Sequence, residues 1–163
     1  MPLSVRTTFL GIALAALLAG CGSDIGDSCS ISSDCSPTGK RICDPPSNTP
    51  GGYCTIRGCD YDTCPNEAVC VRFFPVTQTD VNCSQDSDCT PDELCTLGGF
   101  CVPRSAEVRY CMRKCGGNGD CRDGYECRDE SLMVDHGGEP VLDPSKPAPD
   151  TLQAFCATTT PKT

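Results

Sequence analysis

The stretch "CSISSDCSPTGKRICDPPSNTPGGYC", residues 29–54, decides the fold. Three cysteines, Cys29, Cys35 and Cys43, are spaced by short polar runs, and a fourth, Cys54, closes the stretch behind Gly-Gly-Tyr. Apart from sulfur it offers only Ile31, Ile42 and Tyr53 as large apolar side chains, so no ordinary core can form from it. Cross-links between the cysteines must restrict the chain instead.

The same order returns as "CSQDSDCTPDELCTLGGFC" at 83–101, with Cys83, Cys89, Cys95 and Cys101. Two more triplets, Cys59/Cys64/Cys70 and Cys115/Cys121/Cys127, lack a nearby fourth member. The cysteines left over are Cys111 and Cys156, and like Cys54 and Cys101 they come directly after an aromatic residue. Each triplet therefore takes one aromatic-preceded cysteine, giving four modules of two disulfides. Two modules are compact. The other two are open, one closing across the whole third module and one across a long loop.

Four cysteines can pair as successive beads, as nested rings or as interlocked rings. Beads leave two small loops with nothing fixing one against the other, and nesting leaves the inner ring free to pivot. Interlocking, first to third and second to fourth, ties both loops together and lets the aromatic ring cover the crossing sulfurs. The expected bonds are Cys29–Cys43, Cys35–Cys54, Cys59–Cys70, Cys64–Cys111, Cys83–Cys95, Cys89–Cys101, Cys115–Cys127 and Cys121–Cys156. In bonded pairs the Cα atoms should stand about 4.4 to 6.8 Å apart.

A coarser repeat overlies the modules. "YCTIRGC" at 53–59 resembles "YCMRKC" at 110–115, which suggests two tandem halves, 29–82 and 83–163. Cys54 aligns with Cys101 by the glycines before it and with Cys111 by the residues after it.

The chain holds 17 cysteines, an odd number that asks for an explanation in an exported protein. Residues 1–20 supply one. Arg6, an apolar run from Phe9 to Ala19 and small residues before Cys21 have the layout of a secretory signal. The run is too short for a permanent membrane span, which needs roughly 20 residues. Leu18-Ala19-Gly20-Cys21 resembles the bacterial lipobox, which implies cleavage before Cys21 and acylation of its sulfur and amine. Lipidation of Cys21 leaves an even set to pair, with 21–28 as a linker. More than one acyl chain would make the anchoring stable. Gly22 in place of the inner-membrane retention aspartate favours the outer membrane.

Charge narrows the partners. The chain carries a formal charge of −9, and −10 once Arg6 is removed with the signal. Such a surface repels nucleic acid, and no basic stripe offsets it. Turn formers dominate the sequence, as in "DPPSNTPGG", "GGNGD" and "RDG". Short strands fit "AVCVRFF" and "GFCVP". The expected fold is small and disulfide-rich, built of tandem two-disulfide modules of short β-hairpins and loops with little helix. A mobile loop is expected at about 128–155, where 134–151 carries four prolines and no cysteine.

Catalytic chemistry finds little support. The one histidine, His136, falls in that loop with no fixed neighbour evident, so no catalytic residue and no cofactor is expected. No C-x2-C pair exists for zinc, and an oxidising compartment favours disulfides. Calcium is the alternative: Asp60 with Asp62, Asp86 with Asp88, and Asn118 with Asp120 set oxygens at alternate positions. The competing reading makes Asp34, Asp88 and Asp120 turn caps.

The strings "SDC", "GGYC", "YCMRKC" and "DCRDGYEC" together resemble the cysteine-rich predicted lipoproteins common in myxobacteria and related bacteria, over nearly the whole chain. That resemblance implies localisation and architecture, since the family has no assigned activity. The expectation is a non-enzymatic, membrane-anchored, outer-membrane lipoprotein that works as a surface binding or adhesion module for a protein or glycan. The alternatives are an envelope structural protein, an inhibitor presenting the Cys127 to Cys156 loop, or a calcium-binding module.

Overall fold

The computed structural model describes residues 22–75 and 81–159. Two helices, α1 (Ser32–Cys35) and α2 (Glu130–His136), accompany nine short strands. These are β1 (Ile42–Asp44), β2 (Tyr53–Thr55), β3 (Ala68–Phe73), β4 (Glu93–Cys95), β5 (Cys101–Pro103), β6 (Val108–Arg113), β7 (Tyr125–Arg128), β8 (Glu139–Pro140) and β9 (Phe155–Thr158). All pairings are antiparallel: β1 with β2, β4 with β5, β7 with β9, and β3 between β6 and β8. The fold is small, disulfide-rich and made of hairpins and loops.

Sixteen cysteines form eight disulfides, each module joined first to third and second to fourth. Their Cα separations run from 5.4 to 5.9 Å. One register rule underlies all four modules. The third and fourth cysteines face each other across adjacent strands, as Cys43 to Cys54, Cys70 to Cys111, Cys95 to Cys101 and Cys127 to Cys156. Neither bonds its neighbour. Each reaches back to the turn that precedes its strand pair, so the two bridges must cross, and three sulfurs of every module lie within 4.8 Å of one another.

Strand periodicity sends the aromatic residues elsewhere. Successive side chains of a strand point to opposite faces, so a ring one position before a cysteine turns away from that cysteine's own disulfide. Tyr53 is buried with Ile25 and Tyr125 against Cys59, Cys70 and Cys111 of the second module. Phe155 is fully buried among Val71, Met133 and Ala157, edge-on to Phe73. For Tyr53 and Phe155 the expectation that the ring caps its own crossing is corrected: both join modules.

That joining crosses the boundary expected at 82/83. The Tyr53 cluster takes residues from both sides, and β3 pairs with β6 through six residue pairs. The reason is covalent, because Cys64–Cys111 closes the second module around the third.

Two segments read as loose are built into the body. Residues 22–28, expected as a linker, run beside β2: Gly26 N donates to Cys54 O and Cys54 N to Asp27 O, both at 2.9 Å, and Ile25 is fully buried. The 128–155 loop contains α2, whose N-cap Asp129 accepts from Leu132 N, and β8, which pairs with β3. Met133 anchors the helix in the core. Too few apolar positions mark α2 for a helical period to show in the sequence. Among the described residues, no helix is long and apolar enough to cross a membrane. Eight disulfides suit an oxidising or extracellular compartment.

Candidate functional site

The alternate acids form turns. In three modules the residue before the second cysteine turns its carboxylate back on the chain. Asp34 Oδ2 accepts from Ser30 N and Ile31 N, Asp88 Oδ2 from Ser84 N and Gln85 N, and Asp120 Oδ2 from Gly116 N. The residue two positions earlier fastens the same turn to the third cysteine: Ser32 Oγ, Asp86 Oδ1 and Asn118 Oδ1 accept from the N–H of Cys43, Cys95 and Cys127. In the third and fourth modules the acidic and amide side chains at the spacing that suggests calcium ligation make these two bonds. In the second module the turn is one residue shorter, and Asp60 instead binds Arg109 Nη1 at 2.9 Å.

Those caps make stability depend on acid. Backbone N–H donors, first Ser30 for Asp34 and first Ser84 for Asp88, hold both carboxyls below their ordinary value, and Cys95 N with Arg104 does so for Asp86. A folded-state pKa below the unfolded one gives stability that is full above the unfolded value, about 3.9 for Asp, and is lost as pH falls through the folded value. Stability should therefore decline as pH falls below about 4. The double variant Asp34→Asn/Asp88→Asn keeps an acceptor at both turns, so it should be weaker at neutral pH and less acid-dependent. An unchanged acid slope would disprove the assignment.

His136 has a fixed neighbour after all. Its Nδ1 lies 2.6 Å from Glu126 Oε1, which also accepts from Arg128 Nε at 2.9 Å. Arg128 is buried, and its guanidinium donates to the carbonyls of His136, Gly137 and Thr158, fastening the C-terminal end of α2 to β7 and β9. The expectation of a solvated loop histidine is thus corrected for position. Its partners show a clamp on the helix end, where the Arg128 guanidinium also suits the helix dipole. Glu126 lies two residues before Arg128 in "YECR", and only the strand–helix packing reveals its histidine.

Arg122 marks another seam. Its guanidinium stacks on Tyr125 at 4.5 Å and donates through Nη2 to Gly52 O, leaving Nε as a buried nitrogen without a partner. Tyr53 Oη donates to Cys156 O and accepts from Arg113 N. Burial pushes that hydroxyl up to about 12. A groove of about 260 Å³ beside these rings opens onto the joint between the first, second and fourth modules. Its polar groups are largely committed to holding that joint.

A larger opening lies elsewhere. A cleft of about 770 Å³ is walled by the third-module turn at Leu97, by α2 at Val134 and by the arm from Val141 to Leu152. Its floor is charged but paired: Arg72 Nε and Nη2 grip Glu139 Oε2 at 3.0 and 2.7 Å, and Leu97 N donates to Glu139 Oε1. Arg109 is held between Glu107 and Asp60. Its rim is apolar and open to water. Of the six large hydrophobic side chains exposed among the described residues, Leu97, Val134 and Leu142 all line it, at 43, 46 and 38% exposure. These residues lie in three separate segments and carry no shared motif, so sequence reading passes over them.

Cys21, the expected acylation site, lies outside the described residues. No family model matches the chain, and no curated protein or solved structure does either.

Proposed function

We propose that the protein is an exported lipoprotein, acylated at Cys21 and held on the outer membrane, whose disulfide-stapled body is a non-enzymatic binding module with the Leu97–Val134–Leu142 cleft as its ligand site. The observation that carries this reading is the gathering of exposed apolar side chains on one cleft over a rigid, paired charged floor. Ligand sites combine apolar walls with a few fixed polar groups in this way. A protein segment or a glycan with an apolar face fits such a surface.

Two measurements test it. Cys21→Ser should abolish fractionation of the processed chain with membranes; correct cleavage with unchanged membrane association would refute the anchor. For the cleft, the oxidatively folded body 22–163 should capture a ligand from envelope fractions. The double variant Leu97→Asp/Val134→Asp should bind at least about tenfold more weakly, an order typical of central contacts. Both positions are exposed, so the fold should survive. Equal capture by the variant would overturn the site, and no capture by either would favour an envelope structural role.

An inhibitor reading rests on the arm. Val141 N donates to Cys70 O and Leu152 N to Glu130 Oε1, which pins the arm at both ends. Between them Asp143 accepts from Ser145 N and Oγ and pairs with Lys146, whose side chain is 69% exposed. Inhibition of a lysine-directed protease that disappears in Lys146→Ala would support this role over cleft binding.

A further inference from the structure

We propose that the protein rests on the membrane by its first module, with Ile31 inserted among zwitterionic headgroups. This orientation rests on the reading that Cys21 is acylated, and it adds which surface meets the lipid.

A lipid anchor ordinarily leaves its protein free to tumble when a run of loose residues separates the modified cysteine from the folded body. Here there is no such run. A Cβ on Gly22 would lie 3.2 Å from Cys35 O at the end of α1, Ser23 Oγ donates to Asp34 O at 2.9 Å, and Ser23 O accepts from Arg41 Nη1. Ile25, four residues after Cys21, is fully buried. Successive Cα atoms are about 3.8 Å apart, so an acyl chain on the residue before Gly22 begins one covalent step from a backbone that is itself fastened to α1.

Ile31 caps the other end of that single turn and, at 61% exposure, is the most exposed of the large hydrophobic side chains. One helical turn separates it from Cys35, which puts it within roughly 13 Å of Gly22. An anchor so close to an exposed isoleucine brings that side chain to the headgroup layer. The neighbouring carboxylates Asp24, Asp27 and Asp34 repel anionic lipid, so the surface suits zwitterionic headgroups. The cleft fits the same geometry, because none of its lining residues belongs to 22–54. It stays open to solvent.

The chain has no tryptophan, so a single substitution reports its own position. Ile31→Trp and Leu97→Trp would be made in the full acylated chain and reconstituted in phosphatidylcholine vesicles carrying lipid brominated near the headgroup. Intact-mass analysis reports acylation, and a thiol assay reports the eight disulfides. The expected result is emission from Trp at 31 that is blue-shifted and quenched at least about threefold more than that from Trp at 97, as a residue in the interface would be. Equal quenching, or none at 31, in acylated protein overturns the orientation and leaves the anchor standing. A chain processed without acylation overturns both.

Discussion

Gly52→Ala should destabilise the protein by about 3 kcal/mol or more, far beyond the cost of the same change at a left-handed glycine with open space around it. Gly52 has φ +70°, and a Cβ there would lie 2.0 Å from the carbonyl oxygen of Cys29. No side-chain rotation relieves that, since both partners are backbone. Gly39 has nearly the same φ, +72°, with nothing within 4 Å, so its alanine variant should lose only the left-handed penalty of about 1 kcal/mol. Gly99, the counterpart in "GGFC", has φ +76° and would meet Cys83 O at 3.3 Å. Its variant should fall between the other two. Denaturant midpoints of the three oxidised variants check the order, and equal losses at Gly39 and Gly52 would contradict it.

The two Gly-Gly-aromatic-Cys strings look alike and fold differently. Cys83 N bonds Gly99 O, two residues before its fourth cysteine, whereas Cys29 N bonds Gly51 O, three residues before. The first module therefore has an extra residue between that bond and its fourth cysteine, and Gly51 and Gly52 are both left-handed. That extra residue turns Gly52 O outward to Arg122 Nη2 at 2.5 Å and Tyr125 Oη at 3.3 Å in the fourth module. Loss of this geometry should loosen a joint between modules as well as the turn.

This contrast shows how far the sequence is legible. Cysteine spacing is a local code, and the interlocked linkage expected from it is the linkage the structure has, because the third and fourth cysteines of a module sit on paired strands. Strands at "AVCVRFF" and "GFCVP" are legible for the same reason: β-branched and aromatic residues bracket the cysteine. Direction is not legible from spacing alone. The rings before Cys54 and Cys156 face other modules, and nothing local says which. His136 meets Glu126, and Leu97 meets Val134 across the cleft, only through packing between distant segments.

Removing Cys64–Cys111 as an alanine pair should cost about 4 kcal/mol, the largest loss from any one disulfide. In the chain-entropy account, stabilisation grows with the length of chain that a bond closes, because the unfolded state loses more freedom. This bond spans 47 residues and encloses the whole third module, whereas Cys83–Cys95 and Cys89–Cys101 span 12 each. The same account gives about 3 kcal/mol for either of those. Burial adds to the difference. Cys111 is fully buried in the cluster that joins three modules, while Cys83, Cys89 and Cys95 of the third are only half-buried. With Cys59–Cys70 intact, β3 keeps its own turn, but β6 returns to it without a covalent tie across the insertion. Equilibrium unfolding of double alanine variants should rank Cys64–Cys111 above Cys121–Cys156, which spans 35, and both above the third-module bonds. A loss at Cys64–Cys111 no greater than at Cys83–Cys95 would mean that strand pairing between β3 and β6, rather than chain closure, holds the second module around the third.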